Sequence, residues 1–282
     1  MEKIKLSNGL EMPKMLFGTF QMNNNVQWEQ LLRVAAKERA LGFDAAPSYH
    51  TETILANAVN SFLRNTAEYK RGDFFIQTKI DAWMMINGKG EIRPYVQNTL
   101  NKTKLEYFDL ILIHWPQPDY FCDTWKSLEK VYENGLAKAI GICNCKKRHL
   151  YELIDHGANY IPMVIQNEIH PFNTENELLK ICKDNNIVLQ AYSPLFRMLP
   201  QLKENELLNT LAEKYRCSIA NIVIAWHLQR GVVPIVKTST PKRMEENLSS
   251  FLIELEKSDM DLIDLLNDDF RIFLDSRCCP GL

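Results

Sequence analysis

The chain has 282 residues, 46% of them hydrophobic, enough for a substantial core in one large domain or two small ones. A formal net charge of −2 gives no electrostatic reason to bind nucleic acid or an anionic membrane. No apolar run approaches the ~20 residues of a membrane-spanning helix, and the opening MEKIKLSNGLEMP lacks the apolar stretch of a secretory leader, so a soluble, cytoplasmic protein is expected.

In chain order, KIKLSNGLEMP (3–13) reads as a β-hairpin, with Asn8-Gly9 between two short segments as the residues of a type I′ turn. Short apolar runs then follow at LFGTF (16–20), GFDA (42–45), FFIQTKI (74–80), DLILIHW (109–115), AKAIGIC (137–143), PMVIQNE (162–168), IVLQAY (187–192) and GVVPIVK (231–237). Between them lie segments with apolar residues at helical spacing, among them 28–40, 124–135 and 175–185. The stretch 203–230 is long enough for two helices, and 256–268 adds a helix after the last unit. Eight alternating strand–helix units with no linker between them predict a parallel sheet closed into a (β/α)8 TIM barrel, one domain over 1–282, with the hairpin plugging its bottom. A doubly wound dinucleotide-binding domain is the structural rival. No G-x-G-x-x-G follows any of the runs, and no internal boundary divides the chain.

Seven cysteines stand at 122, 143, 145, 182, 217, 278 and 279. The odd count and the lack of paired CxxC motifs exclude a structural zinc site. Cys143 and Cys145 on one strand would point the same way with no second pair to complete a ligand set. Buried free thiols are expected, with Cys278 and Cys279 the candidates for oxidation.

Active sites of such barrels lie at the C-terminal strand ends. Those ends carry Thr19-Phe20, Asp44, Lys79, His114-Trp115, Asn144, Gln166-Asn167-Glu168, Tyr192-Ser193 and Lys237-Thr238, with Tyr49 one loop beyond Asp44. Taken singly, Asp44 reads as a cap or loop acid, Lys79 as a charged rim, Tyr49 as packing and His114 as a core histidine. Together they supply one another's partners, which buried charge requires. Asp44 would keep Lys79 protonated, and that cation would lower a tyrosine pKa normally near ~10. Tyr49 could then give a proton to a carbonyl oxygen, with His114 orienting the carbonyl. Such chemistry needs a hydride donor, and its phosphate has a candidate site. Thr240 reads as an N-cap and Pro241 as the first residue of a helix, with Arg243 in the first turn and Lys237 alongside.

The segments GFDAAPSYHTE, FFIQTK, DLILIHWP, GLAKAIGICN, QNEIHPF, AYSPL and IVKTSTPKRMEEN, in this order and spacing, resemble the aldo-keto reductase family over nearly the whole chain. The resemblance implies a (β/α)8 barrel that exchanges hydride between NADPH and a small-molecule carbonyl, without a metal and as a monomer. It implies Tyr49 as general acid, Lys79 and Asp44 as its tuning pair, and His114 as the group that orients substrate. Asn144 and Gln166 fall where the family holds the nicotinamide carboxamide, and Tyr192 where a ring stacks on nicotinamide. Thr19 joins this cofactor set. Ser193 and Leu195 fall at the pyrophosphate, Lys237, Thr238 and Arg243 at the 2′-phosphate, and Glu246 and Asn247 at the adenine. Phe20, Trp83 and Trp115 are the candidate substrate pocket, with Met22, Met198 or the tail at its mouth; Trp83 reads equally as packing. Departures are Cys143 in place of a usual serine, DAA for DTA around Asp44, a loop after AYSPL that offers Arg197, and a short tail after Arg271. Two other readings share this site: an NADPH-binding barrel that is catalytically idle, and an alcohol dehydrogenase working in the oxidative direction.

Overall fold

The computed structural model describes residues 2–22, 27–275 and 279. Strands β1 (Lys3–Lys5) and β2 (Glu11–Pro13) pair antiparallel, Ile4 opposite Met12. The turn between them is not type I′. Gly9 N–H donates to the Leu6 carbonyl at 2.9 Å, and Gly9 alone in the turn has positive φ (86°). That is a type I turn followed by a left-handed glycine, which gives the same strand reversal with Asn8 in ordinary conformation. Met12 is fully buried and its sulfur lies 3.2 Å from Gln190 Nε2 inside the barrel, while Asn8 Nδ2 donates to the Lys138 carbonyl ahead of the Ile140–Cys143 strand. The hairpin therefore closes the N-terminal end of the barrel, as expected.

The barrel strands are β3 (Leu16–Gly18), β4 (Gly42–Asp44), β5 (Phe75–Ile80), β6 (Leu110–Ile113), β7 (Ile140–Cys143), β8 (Val164–Glu168), β9 (Val188–Tyr192) and β10 (Val233–Val236). All are parallel, and β10 pairs with both β9 and β3 to close the ring. Most of their residues are buried, because one face meets the barrel interior and the other the helices, so strands such as β6 and β7 read as apolar runs while β5 carries Gln77 and Lys79 inward. At Gly141 an added Cβ would lie 2.2 Å from the Val164 carbonyl oxygen, so a larger residue would force β7 off β8.

The helices are α1 (Trp28–Lys37), α2 (Glu52–Asn65), α3 (Ala82–Gly88), α4 (Arg93–Thr103), α5 (Phe121–Glu133), α6 (Lys147–Asp155), α7 (Asn176–Asp184), α8 (Pro200–Lys203), α9 (Glu206–Lys214), α10 (Ile219–Arg230), α11 (Pro241–Leu248) and α12 (Lys257–Asp264). In α1, Leu31, Leu32, Ala35 and Ala36 form the buried stripe that faces the sheet. The expected pair within 203–230 is α9 and α10, separated where Ser218 caps α10 through a box with Asn221. α12 docks on this pair: Trp226 Nε1 donates to Asp264 at 2.8 Å, and the Tyr215 hydroxyl donates to Asp259 at 2.5 Å.

Candidate active site

β4 ends at Asp44, which sits opposite Gln77 of β5. Lys79 is two residues further on, hence on the same inward face. Its ammonium donates to Asp44 Oδ1 at 2.5 Å and to the Ala45 carbonyl at 3.1 Å, and Gln77 Nε2 donates to the same carboxylate oxygen at 2.6 Å. Lys79 is 1% exposed, so its charge is sustained by this pairing rather than by water. Pro47 opens a single 3-10 turn, Pro47–Tyr49, and His50 at φ 56° ends it. That turn swings Tyr49 back over the strand ends. The Lys79 nitrogen lies 4.8 Å from the Tyr49 ring centroid, with Phe20 and His114 edge-on to the ring at 5.1 and 5.7 Å. The structure thus brings all four acid–base candidates together.

Their electrostatics differ from the expectation in one respect. Burial is the largest influence on Tyr49, and it outweighs the pull of Lys79, so the phenol is pushed above its ordinary value rather than lowered. Burial also works against the Lys79 ammonium, but Asp44 and Tyr49 more than offset it and raise the lysine above its ordinary value. The site therefore holds a protonated lysine beneath a protonated tyrosine, an arrangement suited to giving a proton.

Above these groups opens a cavity of about 550 Å³ that runs from Phe20, Tyr49, His114 and Trp115 to Lys237. Asn144, Gln166, Tyr192, Ser193 and Leu195 line its middle. Asn144 is held by φ 55°, its Oδ1 accepting from the Tyr192 hydroxyl at 2.7 Å and its Nδ2 donating to the His114 carbonyl at 2.9 Å. Gln166 Nε2 donates to Gln190 at 2.9 Å. The segment 193–198 crosses the cavity with positive φ at Ser193, Phe196, Arg197 and Met198, and Arg197 and Met198 line the wall.

Thr19, Thr238, Arg243, Glu246 and Asn247 lie outside the cavity wall. Thr19 Oγ1 donates to the Asp44 carbonyl at 2.9 Å, which anchors β3 to β4. Thr238 Oγ1 accepts the Thr240 N–H at 3.1 Å and shapes the entry to α11, where Thr240 takes the N-cap position without a side-chain bond and Pro241 is the first residue. Arg243 and Glu246 are exposed on α11 and Asn247 is buried. Trp83 does not line the cavity. Asp81 is the N-cap of α3 and turns the chain outward there, so Trp83 is 50% exposed and packs edge-on to Tyr95 at 5.5 Å. Met22 is buried rather than at the mouth.

Cys122, Cys143, Cys145, Cys182 and Cys217 are unbridged, but Cys122 and Cys217 are only half-buried, Cys279 is buried, and Cys278 lies outside the described residues. Cys143 ends β7 and the left-handed Asn144 follows, so Cys143 and Cys145 do not share a strand face; Cys143 lines the cavity. Burial pushes the Cys143 thiol well up.

Two contributions were not named as residues in the sequence, although the tail that carries the first was a candidate for the pocket mouth. Phe273 lines the cavity and packs edge-on to Tyr192 at 5.7 Å, its backbone N–H held by the Glu168 carboxylate at 2.9 Å. Asp81 approaches His114 Nδ1 to 2.5 Å and accepts the Ser48 N–H at 2.8 Å.

Fold and sequence together define the class: an oxidoreductase built on a (β/α)8 barrel. The chain belongs to the aldo/keto reductase family, whose sequence profile matches residues 14–268. Among its relatives, the glyoxal reductase of Bacillus subtilis is 38% identical over 271 residues, 96% of this chain and 95% of the relative. The 9,11-endoperoxide prostaglandin H2 reductase of Trypanosoma cruzi is 33% identical over 270 residues, covering 95% and 93%. Aldo-keto reductase family 1 member A1 of Gallus gallus is 33% identical over 296 residues, covering 95% and 89%.

Proposed function

We propose that the chain reduces an aldehyde or ketone to the alcohol, with NADPH as cofactor and Tyr49 as the general acid. The observation that carries this reading is one cavity lined by Tyr49, His114 and Lys237 together, beside a buried Asp44–Lys79 pair. The residues fit the cofactor. Tyr192 offers a flat ring, Asn144 and Gln166 offer amides beside it, and Lys237 ahead of α11 with Lys242 and Arg243 in its first turn have no carboxylate partner among the described residues. When bound, the nicotinamide supplies the hydride.

Tyr49 gives its proton to the carbonyl oxygen as hydride reaches the carbon, and burial keeps the phenol in the protonated form that this step needs. Lys79, held charged by Asp44, stabilises the phenolate left behind. His114 hydrogen-bonds the same oxygen and fixes the carbonyl face. Phe20, Trp115 and Phe273 exclude water from the reacting end.

Absorbance of NADPH followed against a panel of aldehydes, ketones and dicarbonyls tests the reading. The panel includes glyoxal, after the name of the Bacillus relative. Turnover is the expected result; tight NADPH binding without turnover on any carbonyl would favour the idle barrel. Arg243→Ala is expected to weaken NADPH binding by about 1.5–3 kcal/mol while leaving NADH nearly unchanged, since only NADPH has the 2′-phosphate that a charge-assisted bond would hold. Equal losses for both cofactors, read by fluorescence titration, would refute the phosphate assignment. We read the chain further as a single-domain cytoplasmic monomer, for which gel filtration should give a mass near 32.8 kDa.

A further inference from the structure

The two residues that face the reacting end, Tyr49 and His114, are tied together by a third that neither the sequence motifs nor the reaction has so far required. Asp81 follows β5 on the same inward parity as Lys79. Its Oδ2 accepts the Ser48 backbone N–H at 2.8 Å, next to Tyr49 in the chain. Its Oδ1 lies 2.5 Å from His114 Nδ1 and 3.2 Å from the Ser48 hydroxyl. The carboxylate is 8% exposed and the imidazole 17% exposed.

An ionised carboxylate only accepts hydrogen bonds, so the hydrogen in the Asp81–His114 contact belongs to Nδ1. Nε2 is then the nitrogen left for the cavity that His114 lines. In the neutral ring it carries a lone pair and cannot donate to a carbonyl oxygen. Building on the carbonyl-reductase reading above, we propose that Asp81 is a positioning residue that makes the doubly protonated ring of His114 the form competent for reduction.

The surrounding groups are accounted for. Tyr49 meets the ring edge-on at 5.7 Å, with the Lys79 nitrogen 4.8 Å from the Tyr49 ring centroid, and Asn144 Nδ2 bonds the His114 carbonyl rather than the ring. Glu52 and the thiol of Cys143 act on Asp81 only at longer range. Burial alone would raise the Asp81 carboxyl, but the bonds from His114 and Ser48 outweigh it and hold it below the usual carboxylate range.

Asp81→Asn gives the proposal a sharp test, because the fold dictates which way the amide points. The Ser48 N–H requires an acceptor, so the new carbonyl oxygen takes that place and the NH2 group faces His114 Nδ1. The neutral ring must then carry its hydrogen on Nε2, and it donates to the cavity at any pH. In the wild-type protein kcat/KM for carbonyl reduction is expected to fall about tenfold per pH unit once His114 loses its second proton. In Asp81→Asn that limb is expected to vanish, with kcat/KM level to within about threefold over the same range.

The tautomer itself is read by long-range 1H–15N NMR of the imidazoles in protein without cofactor or substrate. His114→Asn identifies the signal by its loss from the set of six histidines. Neutral His114 is expected to hold its hydrogen on Nδ1 in wild type and on Nε2 in Asp81→Asn. A wild-type ring protonated on Nε2, or a pH limb that survives in Asp81→Asn, would overturn the proposal. Should the variant not fold, the wild-type spectrum still decides. Should the protein reduce no carbonyl, the spectrum tests the tautomer while the functional reading falls alone.

Discussion

Tyr49→Phe is expected to lower kcat for carbonyl reduction by about 10²- to 10⁴-fold, the range that a positioned general acid contributes. The substitution removes one hydroxyl and leaves the ring, so the edge contacts to Phe20 at 5.1 Å and His114 at 5.7 Å persist, as does the Lys79 cation 4.8 Å from the ring centre. Cofactor affinity should stay within about threefold, because the hydroxyl's bond is to Lys79 of the buried pair, and the carbonyl KM should change far less than kcat. Pre-steady-state absorbance separates the hydride step from product release. Reduction that continues within tenfold of wild type would remove Tyr49 from the role of acid. The pH dependence adds a directional check. Burial holds Tyr49 protonated well past neutrality, so the tyrosine itself imposes no loss of reduction between pH 6 and about 9, whereas alcohol oxidation, which needs the phenolate, should rise with pH over that interval.

The barrel was legible because its strands are buried on both faces. Residues such as Leu110–Ile113 and Ile140–Cys143 therefore appear as unbroken apolar runs, each followed by a helical stripe. The hairpin was legible but its turn was not: Asn8-Gly9 satisfies the composition of a type I′ turn, yet a type I turn ending in left-handed Gly9 needs the same glycine. In the site, Lys79 was legible as the charged residue at a strand end beside Asp44, and period-two alternation puts it on the inward face. The same alternation applied for one more step would have carried Asp81 with it, a position passed over because the apolar run had ended at Ile80. Trp83, read equally as pocket wall and as packing, turns out to pack, for the complementary reason. It stands near the rim in sequence, but the helix capped by Asp81 turns it toward Tyr95.

The sign of the Tyr49 shift was beyond any reading of residue types. Sequence supplies the cation that lowers the pKa and not the depth of burial that raises it, and here the second wins. Phe273 depends on a contact across more than a hundred residues, where Glu168 clamps the backbone of Ile272 at 2.6 Å and of Phe273 at 2.9 Å. No local pattern announces such a clamp.

The buried pair beneath the tyrosine joins stability to catalysis, and Lys79→Met is expected to damage both. It leaves the Asp44 carboxylate buried with only the amides of Gln77 at 2.6 Å and Gln166 at 3.4 Å. Breaking a buried pair in this way typically costs about 3–5 kcal/mol, because the remaining charge has lost its partner. The effect is visible as a lower midpoint in urea unfolding with little change in slope. The raised pKa of Lys79 fixes its pH window: the pair's contribution is fully present below the unfolded lysine value of ~10.4 and is lost only as pH rises through the higher folded value. The stability deficit of Lys79→Met should therefore be nearly constant from pH 6 to about 9. Joining it to Asp44→Asn removes the orphaned charge, and the double variant should recover most of the lost stability. Turnover should not return with it, since Tyr49 would still lack the cation that stabilises its phenolate. Recovery of stability together with activity would mean that Lys79 and Asp44 serve the fold alone; loss of activity without loss of stability in Lys79→Met would mean that the pair's burial carries no structural consequence. The expected result lies between these, with the fold restored by the double substitution and the chemistry still absent.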